Sequence, residues 1–167
     1  WRYPADPVSV SPLFLQALLT YEDRHFYHHP GVNPWALWRA AGQWLGQGRI
    51  ISGGSTLTMQ VARLLEPDTR SVLGKARQIL RALQLEAHLD KQQILTLYLE
   101  RAPYGGTIEG VQAASWAYLG KPASALSHAE AALLAVLPQA PSRLRPDRHP
   151  DASRAARDKV RARMQAL

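Results

Sequence analysis

The chain has no cysteine. Disulfides, thiolate metal sites and thiol nucleophiles are excluded, although this absence does not identify a compartment. No apolar run approaches the roughly 20 residues needed to cross a bilayer as a helix. Period-two alternation is nearly missing, so strands are expected to be few. There is no internal repeat and no low-complexity tract. A phosphate-binding P-loop is excluded as well, because no Gly-Lys-Ser/Thr follows the glycines at 53 and 54. Acidic residues are in deficit, 13 against 20 Lys plus Arg, for a net charge of +7. That balance favours an anionic partner: nucleic acid, a membrane surface or a phosphorylated substrate. Five tryptophans tilt the choice towards a membrane interface. The first residue is Trp1, and no signal sequence or anchor is recognisable. The expectation is a single domain, residues 1–167, taken from a longer protein.

What is present suffices for a core, since 46% of the 167 residues are apolar. The chemically densest stretch is Tyr21-Glu22-Asp23-Arg24-His25-Phe26-Tyr27-His28-His29-Pro30-Gly31. It holds two adjacent carboxylates, three histidines and three aromatic residues, and it ends in a Pro-Gly break. The preceding Ser11-Pro12 reads as an N-cap with proline at the first helical position, and Phe14, Ala17, Leu18 and Tyr21 recur at helical spacing. Glu22 is thus expected at the end of a buried helix. Apolar neighbours there would disfavour its charged form, while a loop admits substrate.

Further along, Asn33-Pro34 opens a second helix rich in Trp35, Leu37, Trp38, Trp44 and Leu45, ending near Arg49. With its basic flanks this segment suits either a core or a bilayer surface. Ser52 to Gln60 follows, with two glycines that let a ligand approach and Ser55-Thr56 at a helix start, where free N–H groups favour anions. An amphipathic helix is predicted from Val72 to Leu89, and another beginning at Asp90. Arg101 to Gly110 reads as a loop. A helix from Val111 to Leu119 stops at Gly120, and Ser127 to Glu130 is a capping box. A basic helix is predicted from about Asp151 onward.

The order of these motifs resembles the peptidoglycan glycosyltransferases, glycosyltransferase family 51. Glu22-Asp23, Phe26, His29 and Gly31 match a first signature, and Gly53-Gly54-Ser55-Thr56-Leu57-Thr58 with Gln60 a second. Leu95, Tyr98-Leu99, Tyr104-Gly105 and Gly110 are similar to the fourth. Leu126-Ser127, Glu130-Ala131, Leu133 to Ala135, Leu137-Pro138 and Ala140-Pro141 are similar to the fifth. Arg101 to Gly106 and Gln139 to Pro146 most resemble the 1C type of class A penicillin-binding proteins. The resemblance implies a mainly α fold, with a lysozyme-like helical core lobe and a smaller membrane-associated jaw lobe. It places Trp35 to Ile51 in the jaw.

It also implies polymerisation of lipid II into β-1,4-linked glycan with inversion, at the periplasmic face of the bacterial inner membrane. A membrane anchor and a downstream transpeptidase-like domain would belong to the full-length protein. Glu22 would be the general base. Asp23, Phe26, His29, Gly54, Ser55, Thr56, Gln60, Arg77 and Gln78 would bind substrate, and Arg63 and Lys75 would hold its diphosphate. A divalent ion such as Mg2+ at the diphosphate is compatible with this, although no dedicated ligand cluster is visible.

Two departures stand out. The third family motif, Arg-Lys-x-x-Glu, reads Gly74-Lys75-Ala76-Arg77-Gln78, and Glu100 replaces the usual asparagine after Tyr98-Leu99. Glutamine neither titrates nor supplies charge. A paired-carboxylate mechanism through these positions is therefore unsupported, and Glu100 becomes the candidate second carboxylate. Two alternatives stay open: a muramidase with Glu22 as general acid, and a catalytically weak module that binds lipid II. Cations at Arg63 and Lys75 favour transfer over hydrolysis. The interleaved histidines and carboxylates do not suit a plain nucleic-acid binder.

Overall fold

The computed structural model of the chain describes residues 2–35, 37–38, 42, 55–67 and 71–166. Among these, seven helices have described bounds: α1 Pro12–Glu22, α2 Leu57–Leu65, α3 Val72–His88, α4 Lys91–Arg101, α5 Val111–Leu119, α6 His128–Val136 and α7 Pro150–Gln165. The expected mainly α class is what the chain adopts. The chain divides into two compact units, one of residues 1–24 and 95–167, the other of residues 25–94.

In the first unit α1, α6 and α7 pack together. Phe14, Ala17, Leu18, Leu134, Ala135 and Val160 are all inaccessible to solvent there. Proline stands at the first helical position of α1, as its fixed φ allows. Ser11 occupies the N-cap, but its hydroxyl makes no cap bond. Instead the Ser11 N–H donates to the Ala123 carbonyl at 2.9 Å, tying the helix start to a distant loop. Helix α5 ends on Gly120 in the left-handed region (φ +67°), and the capping box at Ser127 and Glu130 is formed. Both follow from local chemistry that needs no tertiary help.

The Arg101–Gly110 segment departs from the expected loop. It contains a two-stranded antiparallel hairpin, β1 Pro103–Gly105 and β2 Ile108–Glu109. Strands this short show no alternation in sequence. Gly110 closes the hairpin against α4: its φ is +83°, and a Cβ there would lie 2.7 Å from the Glu100 carbonyl oxygen.

In the second unit α2 packs on α3. Met59 and Ala82 form a small core with Val32, flanked by Leu37 and Ile79. Thr56 caps α2 by accepting the Met59 N–H at 3.1 Å, and its hydroxyl donates to the Gly31 carbonyl at 2.5 Å. Gly31 (φ +83°) lies so close to α3 that a Cβ would fall 2.7 Å from Glu86 Cγ and 2.8 Å from the Ala82 carbonyl oxygen. Glu86 in turn accepts from Thr58 (2.6 Å) and Lys91 (2.6 Å). Lys91 also donates to the His29 carbonyl at 2.7 Å and sits 4.6 Å from the Phe26 ring centroid. The loop after Glu22 is thereby clamped to α3 and the start of α4.

Trp35 and Trp38 are 75% and 76% exposed. Most of the remaining segment to Ile51, including Trp44, lies outside the described residues. Among the described residues no helix is long and apolar enough to cross a membrane.

Gly31→Ala meets both a disfavoured φ and a backbone clash. It is expected to lower stability by about 1–3 kcal/mol, read as a reduced midpoint in thermal unfolding. An unchanged midpoint would contradict the clamp.

Candidate active site

Glu22 is the last residue of α1, and Asp23 is its C-cap, donating its N–H to the Leu19 carbonyl at 3.0 Å. The Glu22 side chain is half-buried, with Oε1 shielded from solvent. Two tyrosines of the same unit feel its charge. Burial and then Glu22 push the Tyr104 phenol well above its ordinary value, and the same two causes raise Tyr21. Tyr104 is fully buried on β1, and its hydroxyl has no hydrogen-bond partner among the described residues. Tyr21 donates to Gln139 at 3.3 Å. Glu22 thus stands in partly aromatic surroundings at a helix end, a setting suited to a proton-transferring carboxyl. Asp23 is buried, and Glu100 is partly buried on α4.

The second unit contributes a cleft of about 800 Å³ between α2 and α3. Among the described residues four cations line it, Arg63, Lys75, Arg77 and Arg81, with one carboxylate, Glu66. Glu66 is engaged by Arg81 at 2.9 Å. Helix α3 starts here because the Ser71 hydroxyl accepts the Gly74 N–H at 3.0 Å, and it presents Lys75 and Gln78 one turn apart. Lys75 donates to the Ser55 hydroxyl and to Gln78 Oε1 (2.9 Å), and Gln78 Nε2 donates to the Met59 carbonyl (2.7 Å). Both of these acceptors are neutral. Burial, and then the nearby Arg63 charge, lower the Lys75 ammonium below the ordinary lysine value. Such a cleft is built to receive an anion of more than one charge.

The structure therefore brings Ser55, Arg63, Lys75, Arg77 and Gln78 into one neighbourhood. Gln60 lies half-buried on α2. Phe26, His29 and Thr56 are 1%, 7% and 3% exposed, and the contacts described above shape the loop and the α2 cap. Gly54 lies outside the described residues. Sequence reasoning missed the Glu66–Arg81 pair, the Glu86–Lys91 clamp and the position of Tyr104 beside Glu22. The capping serine at 71 was the one available signal for the cleft's edge.

The Lys75 shift has a sign. Both causes penalise the charged form, so they cost folded-state stability at low pH, and that cost is relieved as pH rises through the folded-state pKa towards 10.5. An anion in the cleft reverses the penalty and favours proton uptake. Binding of a diphosphate monoester, whose phosphates finish ionising near about pH 6, is expected to weaken at alkaline pH below the ordinary lysine range. Lys75→Arg should flatten that profile, because guanidinium stays charged. Calorimetric titration across pH measures it, and a flat wild-type profile would remove Lys75 from the anion site.

The family model described as Transglycosylase matches residues 1–165. Penicillin-binding protein 1C of Escherichia coli is 65% identical over 98% of the chain, which covers 21% of that protein. Penicillin-binding protein 1A of Pseudomonas aeruginosa is 44% identical over 99% of the chain and 20% of its own length. A crystal structure of penicillin-binding protein 1A from Haemophilus influenzae is 29% identical, covering 65% of this chain and 13% of that one, with a TM-score of 0.43. The chain spans about a fifth of the length of the relatives it matches. With a family match over nearly its whole length, the chain belongs to the Transglycosylase family.

Proposed function

We propose that the chain is a peptidoglycan glycosyltransferase that polymerises lipid II, with Glu22 as general base and the α2–α3 cleft as the diphosphate site. A sugar hydroxyl is a weak nucleophile near neutral pH. In the proposed reaction Glu22 removes the proton from the C4 hydroxyl of the incoming lipid II as that oxygen attacks C1 of the growing strand. The C1–oxygen bond to the diphosphate breaks, and its electron pair leaves with undecaprenyl diphosphate. Attack from the face opposite the leaving group turns an α link into a β-1,4 link. Lys75 and Arg63 take up the charge developing on the leaving group, an electrostatic effect that needs no general acid.

The observation that carries this reading is the cleft itself, with Arg63, Lys75, Arg77 and Arg81 along its lining. A muramidase places water at the sugar and has no use for a cleft lined by four cations. The exposed Trp35 and Trp38 support a membrane-facing role for the Trp35–Ile51 segment. On this reading the domain works at the periplasmic face of the inner membrane, on the growing glycan strand, beside the transpeptidase-like domain of a full-length protein.

Incubation with labelled lipid II in detergent, followed by electrophoresis of the glycan, tests the proposal. Glu22→Gln is expected to slow polymerisation by about 10²–10⁴-fold without loss of fold. Lys75→Ala is expected to cost about 10²–10³-fold. Release of muropeptides from sacculi, or binding of lipid II without turnover by the wild type, would overturn the assignment. Glu100→Gln separates the two carboxylates: polymerisation at the wild-type rate would leave Glu22 as the sole proton acceptor, and a loss comparable to Glu22→Gln would give Glu100 a share.

A further inference from the structure

A divalent cation is the usual partner of a diphosphate, so the cleft can be asked whether it fits one. Mg2+ demands hard oxygen ligands in near-octahedral geometry, normally with one or two carboxylates besides water and substrate oxygens. Among the described residues the lining provides one carboxylate, Glu66, and Arg81 pairs with it at 2.9 Å. The other charged groups there are Arg63, Lys75 and Arg77, all of which repel a metal ion. Among the described residues no three His, Cys, Asp or Glu side chains gather into a metal site. The donor set does not fit.

Gln78 is the residue on which this turns. Its amide is used at both ends, Oε1 accepting from Lys75 at 2.9 Å and Nε2 donating to the Met59 carbonyl at 2.7 Å. An amide accepts and donates in this way while carrying no charge. A carboxylate at the same place would set an anion against the Met59 carbonyl oxygen and leave that acceptor without its donor. It would also pair with Lys75 and cancel the charge the cleft presents. The glutamine instead fastens α3 to α2, points the ammonium into the cleft and leaves its charge intact. The other acceptor of Lys75, the Ser55 hydroxyl, is neutral too.

We propose that the cleft neutralises its diphosphate with side chains alone, without a divalent cation, and that Gln78 is the positioning residue that makes this work. The inference rests on reading the cleft as the diphosphate site. It adds a regulation that the reading does not contain: catalysis in this chain is independent of divalent metal, and one atom pair at position 78 sets that property.

The test is a calorimetric titration of the purified chain with farnesyl diphosphate, once in excess EDTA and once in millimolar MgCl2. The wild type is expected to bind in EDTA at least as tightly as in Mg2+, because the metal competes for the same phosphate oxygens. Q78E is expected to lose about tenfold or more in EDTA, the cost of spoiling one charged hydrogen bond, and to recover affinity when Mg2+ is added. Q78A is expected to bind more weakly in both buffers, with no recovery by metal. A purely structural role for Gln78 would weaken binding equally with and without metal in both variants. Thermal unfolding of each variant checks that the fold is retained, and the wild-type comparison stands whether or not a variant folds. Wild-type affinity that falls about tenfold on removing Mg2+ would overturn this inference while leaving the diphosphate site in place. Absence of wild-type binding in both buffers would overturn the site and the inference together.

Discussion

An ammonium group whose acceptors among the described residues are both neutral is the constraint from which the rest of the second unit can be understood. Lys75 is partly desolvated, faces the charge of Arg63 and has a hydroxyl and an amide oxygen as partners. In a stable, unliganded protein such a charge costs free energy, and a neighbouring carboxylate is the common remedy. Among the described residues no carboxylate pairs with Lys75. The charge stays available for an anion from outside, and the fold must hold the lysine by other means.

Those means are helix ends. The Thr56 cap starts α2 and ties it to the Gly31 carbonyl. The Ser71 cap starts α3 one residue before its first turn, and Gln78 bonds the two helices through the Met59 carbonyl. At the other end of α3, Glu86 joins Thr58 on α2 to Lys91 at the start of α4, and Lys91 reaches the His29 carbonyl and the Phe26 ring. Glu86 and Lys91 are 11% and 19% exposed in their side chains, so this pair is shielded far more than the surface pair Glu66–Arg81, at 61% and 51%. Breaking the shielded pair would strand a charge, which makes it a fastener of consequence. The surface pair contributes little to stability, and its interest is that it engages the one carboxylate among the described residues of the cleft.

How much of this was legible depended on whether the determinant was local. Gly120 as a helix stop, Ser127-x-x-Glu130 as a capping box and Asp90 as the start of α4 all sit within a few residues of the bonds they make. Asp90 and Gln93 exchange main-chain to side-chain bonds at 2.8 and 2.9 Å. The hairpin at Pro103–Glu109 was not legible, because two and three residues cannot display a period. Ser11 marked its helix start correctly, yet its hydroxyl makes no cap bond and its N–H reaches Ala123, a contact set by the packing of a distant loop. In the same way Phe26, His29 and Thr56 stood out as chemistry-bearing residues, while their burial against Lys91 and Gly31 is a tertiary fact that spacing alone does not encode. The reverse holds for Tyr104, a hydrophobic position by pattern, whose buried hydroxyl beside Glu22 comes from strand β1.

The division of labour within the proposed reaction follows from where the charges lie. Carboxylates cluster at the end of α1, and the cleft cations belong to α2 and α3. A glycosidase built on two carboxylates needs both flanking one bond, one to protonate the leaving oxygen. A diphosphate is already a stable anion when it leaves, so protonation brings little and electrostatic stabilisation brings much. One base and a set of cations is then the minimal machinery, and a second titrating carboxyl near Lys75 would work against it by cancelling charge where charge is needed. On that argument glutamine at position 78 is no loss of a catalytic acid. It removes a group whose negative charge would have paired with Lys75.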